Sequence, residues 1–312
     1  MTAEPDDGPD DGTALAREFE ARRPRLMRLA YATTGSLADA EDCVQEAWPR
    51  LQRAAERGPI RDLSGWLVTA VSRLALDALD RARVRREHYA GPWLPEPLVE
   101  RLADPAGRAD GPGADPADRV TLDESVSMAL LVVLEALSPA ERTAFLLHDV
   151  FGLPFDEISG VVGRPGPAVR QLASRARRHV REDRPRFPPT RARQREVLDA
   201  FTLACTDGDL ERLVTLLDPG VVWRADGGTV RAVPALDGGA SRIAGLLVGY
   251  ARRPPLRLRQ ALVNGTPGLV LRDADGILSV MALTIDDGRI TAIDVVRDPE
   301  KLTGVADLLD RD

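Results

Sequence analysis

Residues 155–182 read FDEISGVVGRPGPAVRQLASRARRHVRE, and their order decides the character of the chain. The stretch Phe155–Val162 runs into Gly163-Arg164-Pro165-Gly166, a tight turn, and Pro167 opens a longer helical stretch. Proline fits there because the first helical N–H has no intrahelical partner to lose. Short helix, glycine-containing turn and longer helix is the order of a helix-turn-helix. On a helical wheel Val169, Leu172, Ala173, Ala176 and Val180 share one arc, and Arg170, Gln171, Ser174, Arg175, Arg177, Arg178 and Arg181 share the other without mixing. The polar arc offers bidentate donors for guanine edges, an amide for adenine and cations for phosphate. A merely solvated arginine face should carry acidic residues at i+4. None lies between Arg170 and Arg181, and only Glu182, paired with Arg178, could serve. The spacing predicts a DNA-reading helix, with Arg170, Gln171, Ser174 and Arg175 nearest the base edges.

Upstream, Ser138-Pro139-Ala140-Glu141 is a capping box that opens another helix, which Gly152 ends. Residues 119–187 are therefore expected to be all-α. Residues 91–118 are rich in proline and glycine and read as a linker. Residues 13–90 are again helical. In 37–51, Leu37, Ala40, Val44, Ala47, Trp48 and Leu51 lie on one face, while Asp39, Asp42, Gln45 and Glu46 lie on the other, with Ser36 placed as the cap. By spacing alone this is a solvated acidic face. Pro49 is expected to kink or end that helix. A second amphipathic helix from Ser64 to Arg86 buries Leu67, Val71, Leu74, Ala75 and Ala78, and presents Trp66, Thr69, Arg73 and Asp77 outward, with Arg81 at the border. An outward tryptophan beside arginine suits stacking on an unpaired base; the alternative is packing under the preceding loop. Arg81, Arg83, Arg85 and Arg86 form a patch suited to a DNA backbone.

Residues 188–312 change character. Two helices precede apolar alternations at Leu269–Leu271, Leu278–Thr284 and Ile290–Val296, with Asp275-Gly276 and Asp287-Gly288 between them as hairpin signals. This block is α+β. The first twelve residues form an acidic, Pro/Gly-bearing tail expected to be disordered, the opposite of a signal peptide.

A chain of 312 residues with 44% hydrophobic content has enough apolar surface for several cores. The net charge of -7 argues against general attraction to nucleic acid, so DNA contact must come from local patches or a larger carrier. Lys301 is the sole lysine. Cys43 and Cys205 are far apart in apolar patterns, and His88, His148 and His179 do not cluster with them, so neither a disulfide, a metal site nor a cofactor is expected. No apolar run approaches the ~20 residues of a membrane span, and a reduced, cytoplasmic protein is expected.

The segment Asp39-Ala40-Glu41-Asp42-Cys43-Val44-Gln45-Glu46 resembles the region 2 motif of sigma factors, Arg73-Leu74-Ala75-Leu76-Asp77 resembles their promoter-melting helix, and Leu153–Ile158 with Ala168–Arg177 resembles region 4. With no counterpart of regions 1 and 3, the chain resembles the extracytoplasmic-function class. Trp93-Leu94-Pro95-Glu96-Pro97 resembles a signature of the subgroup with a SnoaL-like carboxy-terminal extension. Asp298-Pro299-Glu300-Lys301-Leu302 is similar to a second signature, and Asp226-Gly227-Gly228 matches part of a third, from which Thr229 and Val230 depart. The resemblance implies two all-α modules followed by an α+β, NTF2-like domain.

It also implies partners and roles. Asp39, Asp42, Gln45 and Glu46 would dock on core RNA polymerase. The helix carrying Trp66, Thr69, Arg73, Asp77 and Arg81, with the loop Gly58–Leu63, would melt the −10 element of promoter DNA. Arg170, Gln171, Ser174, Arg175, Arg177 and Arg178 would read the −35 element. Trp93, Leu94, Pro95, Glu96 and Pro97 would pack with Asp298, Pro299, Lys301 and Leu302 to regulate the protein in cis, and the terminal domain could hold a small ligand. The rival reading is an enzyme tethered to a DNA-binding module, with Asp226, Asp273 or Asp294 as a pocket base; a weaker third is a repressor that never meets polymerase.

Overall fold

The protein is described from a computed structural model, which covers residues 11–86, 89, 91–102, 126–183, 189–230, 232, 236, 239–253 and 256–310. The chain divides into two compact units, one from the described residues of 1–83 and 137–177, the other from 84–136 and 178–312.

In the first unit α1 (Asp11–Thr34) and α2 (Leu37–Ala55) pack together, followed by α3 (Leu63–Arg86), whose last turn belongs to the second unit. Ser36 caps α2 by accepting from the Asp39 N–H, and Ala40, Cys43, Val44, Ala47 and Leu51 are its buried stripe. The helix does not end at Pro49, as its sequence suggests, but continues to Ala55. Proline frees the carbonyl of residue i−4. Here that is Gln45, on the exposed face where water can bond it, and Trp48 beside Pro49 is held against Phe19 with ring centroids 5.1 Å apart. Asp62 opens α3 by accepting from the Gly65 N–H at 3.0 Å.

Helix α4 (Met128–Glu135) precedes α5 (Pro139–Phe145), which starts with the full capping box of Ser138 and Glu141 and continues as a π-helical turn, Leu146–Val150. Helix α6 (Phe155–Val162), left-handed Gly163 and α7 (Gly166–Asp183) complete the helix-turn-helix. Arg142 is buried, and its guanidinium donates to the Ala32 carbonyl in the last turn of α1, where a cation meets the negative end of the helix dipole.

The second unit is built on a six-stranded sheet in the order β1-β3-β4-β5-β6-β2. Helices α8 (Arg191–Asp207) and α9 (Leu210–Leu216) lead into β2 (Leu217–Asp226), then α10 (Gly239–Ala251), β3 (Arg257–Val263), β4 (Thr266–Arg272), β5 (Leu278–Asp286) and β6 (Arg289–Val296), closed by a 3₁₀ turn at Pro299–Lys301 and a short α11 (Asp307–Asp310). The turns at Asp273–Ile277 and Asp287-Gly288 are the ones read from Asp-Gly pairs; Asp287 and Gly288 both adopt positive φ. The Asn264-Gly265 pair turns β3 into β4 in the same way, with φ of 48° and 72°. Helix α10 escaped the sequence reading because Gly245 and Gly249 lie inside it, and glycine weakens a helix by roughly 1 kcal/mol each.

Strand alternation gives the sheet two apolar faces. On one, Leu269, Met281, Ile293 and Val295 pack with Phe201, Ile243 and Leu247 of the helices. On the other, Val263, Val270, Val280 and Val296 pack with Leu94, Met128, Leu302, Val305 and Leu309. The second face corrects the reading of 91–118 as a plain spacer. Its first part is extended, as proline-rich chain tends to be, and Val99–Arg101 forms edge strand β1, paired antiparallel with β3. Helix α4 joins the same unit, since Met128, Leu130, Leu131 and Leu134 all need burial. Residues 103–125, where the rest of the expected linker lies, fall outside the described residues, as do residues 1–10; the last two residues of the tail expected over 1–12 begin α1 instead.

Candidate functional site

The polar arc of α7 is laid out as its periodicity requires. Val169, Leu172, Ala173, Ala176 and Val180 are buried; Arg170, Gln171, Ser174, Arg175 and Arg178 are exposed. Two arginines have local partners that spacing within the helix does not reveal. The Arg177 Nε bonds Asp149 Oδ1 at 2.6 Å, and the Arg170 guanidinium lies 5.6 Å from the Phe155 ring. Asp149 and Phe155 belong to the preceding π-helical turn and to α6, beyond the reach of the i+4 rule within α7.

On α3, Arg73, Asp77 and Arg81 are exposed, while Trp66 and Thr69 are half-buried. Trp66 and Thr69 line an open pocket of about 580 Å³ with Gly58, Pro59, Ile60 and Arg61 of the preceding loop. Both readings of Trp66, stacking platform and packing under that loop, are thus joined in one place. Glu157 of α6 also lines it. Arg73 donates through Nε and Nη2 to the Gly160 carbonyl of α6, at 3.2 and 2.7 Å. On α2, Asp42, Gln45 and Glu46 are exposed and Asp39 is half-buried; Glu46 pairs with Arg50 at 3.2 Å.

The most closely knit polar cluster lies in the second unit, around Asp226, which is fully buried. Its carboxylate accepts from the Leu94 N–H at 2.8 Å, from Lys301 Nζ at 2.6 Å, from the Gly228 N–H at 3.1 Å and from the Tyr89 hydroxyl. Lys301 also donates to the Leu94 carbonyl at 2.6 Å. The Trp93 ring is faced by two cations, Arg86 at 3.2 Å from its centroid and Lys301 at 4.1 Å. Arg86 pairs in turn with Glu135 of α4. Burial lowers the Lys301 pKa, and the Asp226 charge opposes that shift. Burial, and then the bond to Asp226, raise the Tyr89 pKa well above its ordinary value. Asp298 caps the 3₁₀ turn through the Glu300 N–H, while Pro299 and Glu300 remain exposed. Gly228 has positive φ and lies so close to the Asp298 carboxylate that a Cβ there would collide with it. Farther along, the Asn264 side chain accepts from the Leu98 N–H, and the Asn264 backbone N–H donates to the Leu98 carbonyl at 2.7 Å.

Trp93, Leu94, Asp298, Lys301 and Leu302 are thereby brought together, and Leu94, Pro95, Pro97 and Leu302 are buried. Tyr89, Asn264 and the seating role of Asp226 were not evident in the sequence. The three carboxylates weighed as catalytic bases each have a cation: Asp226 has Lys301, Asp273 has Arg297 at 2.5 Å, and Asp294 has Arg224 through two bonds of 2.5 and 3.2 Å. Burial raises the Asp294 pKa, and Arg224 works against it. Among the described residues no group of His, Cys, Asp or Glu is arranged to hold a metal ion, and no helix is long and apolar enough to cross a membrane. Burial pushes the Cys43 and Cys205 thiols up to about 11 and about 12, which marks them as core groups.

Comparison with known proteins agrees with this layout. The Sigma-70 region 2 family model matches residues 19–85 and the Sigma-70 region 4 model residues 127–180. The chain is 39% identical over 288 residues to the probable ECF RNA polymerase sigma factor SigI of Mycobacterium tuberculosis, covering 92% of this chain and 94% of that protein. The chain belongs to the extracytoplasmic-function (ECF) sigma factors of RNA polymerase. A second relative, ECF RNA polymerase sigma factor SigJ of the same organism, is 40% identical over 301 residues and is covered to 93%. The crystal structure of that organism's extracytoplasmic function sigma factor SigJ superposes with a TM-score of 0.74 at 37% identity, covering 93% of this chain and 99% of that one. The likeness spans the helical modules and the α+β domain alike, so this ECF sigma factor carries region 2, region 4 and a SnoaL-like carboxy-terminal domain.

Proposed function

We propose that this ECF sigma factor brings core RNA polymerase to promoters in the cytoplasm and that its carboxy-terminal domain controls it in cis. In this reading Arg170, Gln171, Ser174 and Arg175 meet base edges of the −35 element, and Arg177 and Arg178 meet phosphate. Trp66 and Thr69, at the open pocket beside the Gly58–Leu63 loop, receive an unpaired base of the −10 element, with Arg73, Asp77 and Arg81 along the strand. Asp39, Asp42, Gln45 and Glu46 dock on polymerase.

The observation that carries the regulatory half is the buried anchoring of Leu94 by Asp226 and Lys301, with the Lys301 ammonium over the Trp93 ring. A chain segment that joins two DNA-reading modules has its length fixed by what holds it. The first unit adds a second constraint. The −10 and −35 positions are about 25 base pairs apart, about 85 Å of duplex at 3.4 Å per pair. Arg73 of the −10 helix is nonetheless bonded to Gly160, six residues before the −35 helix begins. Promoter engagement therefore requires these elements to part. Two polar contacts that join them, Arg73 with Gly160 and Arg142 with Ala32, exchange for water on opening, at about 0.5–3 kcal/mol each. Holding the linker in its seat limits how far they can separate.

The tethered-enzyme reading needs a pocket carboxylate free to take a proton, and Asp273, the one beside the cavity of the domain, is matched by Arg297. The role is that of a transcription initiation factor. In vitro transcription with core polymerase tests it: promoter-specific initiation is expected, and a protein that binds DNA but never copurifies with core polymerase would be a repressor.

A further inference from the structure

The α+β domain contains a cavity that the DNA-reading and linker-seating functions do not use. It lies between α8, α10 and the sheet face opposite the linker, and measures about 60 Å³. That is room for several waters at about 10–15 Å³ each, but its walls, Trp223 and Met281 among them, are overwhelmingly apolar. Apolar cavities of this kind hold water poorly and take apolar molecules.

One end of the wall is different. Ser279 and Arg297 line it, 1% and 7% exposed, and neither the Ser279 Oγ nor the Arg297 Nε has a hydrogen-bond partner among the described residues. Val280 and Val296 form the last pair of the β5–β6 ladder; Ser279 precedes the one, Arg297 follows the other, and both line the same cavity on the helix side of the sheet. Buried polar groups are nearly always bonded, and two orphans in the wall of one cavity mark the place of an absent partner. The rest of the guanidinium is committed: Nη2 to Asp273 at 2.5 Å, Nη1 to the Tyr250 hydroxyl at 3.3 Å.

This chemistry defines the ligand. The Arg297 Nε–H donates, and the Ser279 hydroxyl can donate beside it, so the missing partner is an oxygen acceptor. Arg297 is already neutralised by Asp273. A carboxylate would set two anions against one guanidinium out of water, and an amine would face the guanidinium itself. We propose that the cavity binds a small, uncharged, mostly apolar molecule carrying one oxygen acceptor, and that occupancy is transmitted to the linker seat through Arg297. The Arg297 N–H donates to the Asp226 carbonyl at 2.7 Å, the carboxylate of that same Asp226 holds Leu94 and Lys301, and Asp298 follows at once in the chain. The transmission rests on the cis-regulatory reading above; the binding site does not.

Methionine methyl NMR on the full chain separates the two. Met281 lines the cavity, and Met128 packs with Leu94 on the opposite sheet face. Cyclohexanone, cyclohexanecarboxylate and methylenecyclohexane share a ring and differ in the polar end. Cyclohexanone is expected to shift Met281 saturably, at least tenfold more tightly than the other two, and Ser279→Ala is expected to weaken it roughly tenfold, one hydrogen bond's worth, with the remaining methyl signals unchanged. A Met281 signal unmoved by all three probes overturns the site, as does a carboxylate that binds equally well or a Ser279→Ala variant that binds like wild type. Movement of Met281 without Met128 overturns the transmission and leaves the site standing. If removing the domain leaves promoter output unchanged while Met281 still titrates, it is the regulatory reading that has failed.

Discussion

Replacing Asp226 by Asn should release the linker without unfolding the domain. The substitution keeps the side chain's shape and one oxygen for the Leu94 N–H, but removes the charge opposite Lys301. The lysine side chain is only 12% exposed and the aspartate is not exposed at all, so the ammonium would be left largely out of water. Arg86 on the other side of Trp93 adds repulsion. Breaking one side of a buried pair costs about 3–5 kcal/mol. The helix-side core of Phe201, Ile243, Leu247 and Ile293 does not depend on these groups, so the cheaper response is for residues 89–101 and the Lys301 turn to leave their seat. At 1.4 kcal/mol per decade, the unseated population should rise by about two to three and a half decades. Lys301 is the sole lysine of the chain, which makes it a specific reporter. Acylation by an amine-reactive ester, read by mass spectrometry and separated from the terminal amine by digestion, should be slow in wild type and at least about 100-fold faster in Asp226→Asn. Amide exchange across 91–101 should accelerate in parallel. The variants Asp226→Asn and Lys301→Gln should cost less together than the sum of their separate effects, since each alone strands the other's partner. If Lys301 in Asp226→Asn reacts within a few-fold of wild type while circular dichroism shows a native domain, the pair does not hold the linker and the regulatory seat is elsewhere.

Arg175→Ala should cost about 1–3 kcal/mol at the −35 element and change base preference, whereas Arg178→Ala should weaken binding uniformly and flatten its salt dependence; normal initiation by Arg175→Ala on an intact promoter would remove the base-reading assignment. Reversing Asp42 and Glu46 together to Arg should abolish copurification with core polymerase, because both are exposed on one side of α2; holoenzyme that still forms with a natively folded variant would disprove the docking face. Deletion from Ala192 should change promoter output strongly, deletion from Arg297 should give a different level, and Trp93→Ala should reproduce part of the effect; three wild-type rates at equal protein levels would mean the domain does not regulate. Tyr89 keeps its proton in the fold beyond the pH of about 10 at which an unfolded tyrosine loses it, so its contribution is whole below that pH and is lost above it, while Lys301, with its lowered pKa, runs in the opposite direction. Melting temperatures from pH 8 to 11 should therefore fall less steeply in Tyr89→Phe than in wild type, and identical slopes would show that Tyr89 is not held by Asp226.

Much of the DNA-reading machinery was legible because it depends on residues close in sequence. The turn at Gly163, the sorted arcs of α7, the Ser36 and Ser138 caps and the two Asp-Gly hairpins each follow from spacing of a few residues, where helix and strand periods apply. That α2 runs on past Pro49 has a physical reason of the same kind: the rule concerns an isolated helix, while α2 is held on its buried side and loses its bond on the wet side. The sheet's second face was not legible. Nothing in the composition of 91–102 distinguishes a proline-rich spacer from an extended edge strand; the difference lies in Val263 and Asn264, more than 150 residues away, which offer it a partner.

The same limit explains why the sequence offers Asp226 as a catalytic base. A carboxylate at the end of a strand in this fold can face either side of the sheet, and a one-residue change of register exchanges the two. Ala225 lines the helix-side cavity and Asp226 faces the linker. The alternation that denies the cavity this carboxylate also sets the cavity and the linker seat on consecutive residues. Strand β6 ends in Val295 on the cavity side and Val296 on the linker side, and the next two residues, Arg297 and Asp298, serve the cavity and the Gly228 turn respectively. A shift of the chain at this point cannot alter one face without the other. A rigid sheet whose two faces carry a cavity and a linker seat, joined by consecutive residues of one strand end, is therefore suited to report a small molecule to the segment between two DNA-reading modules.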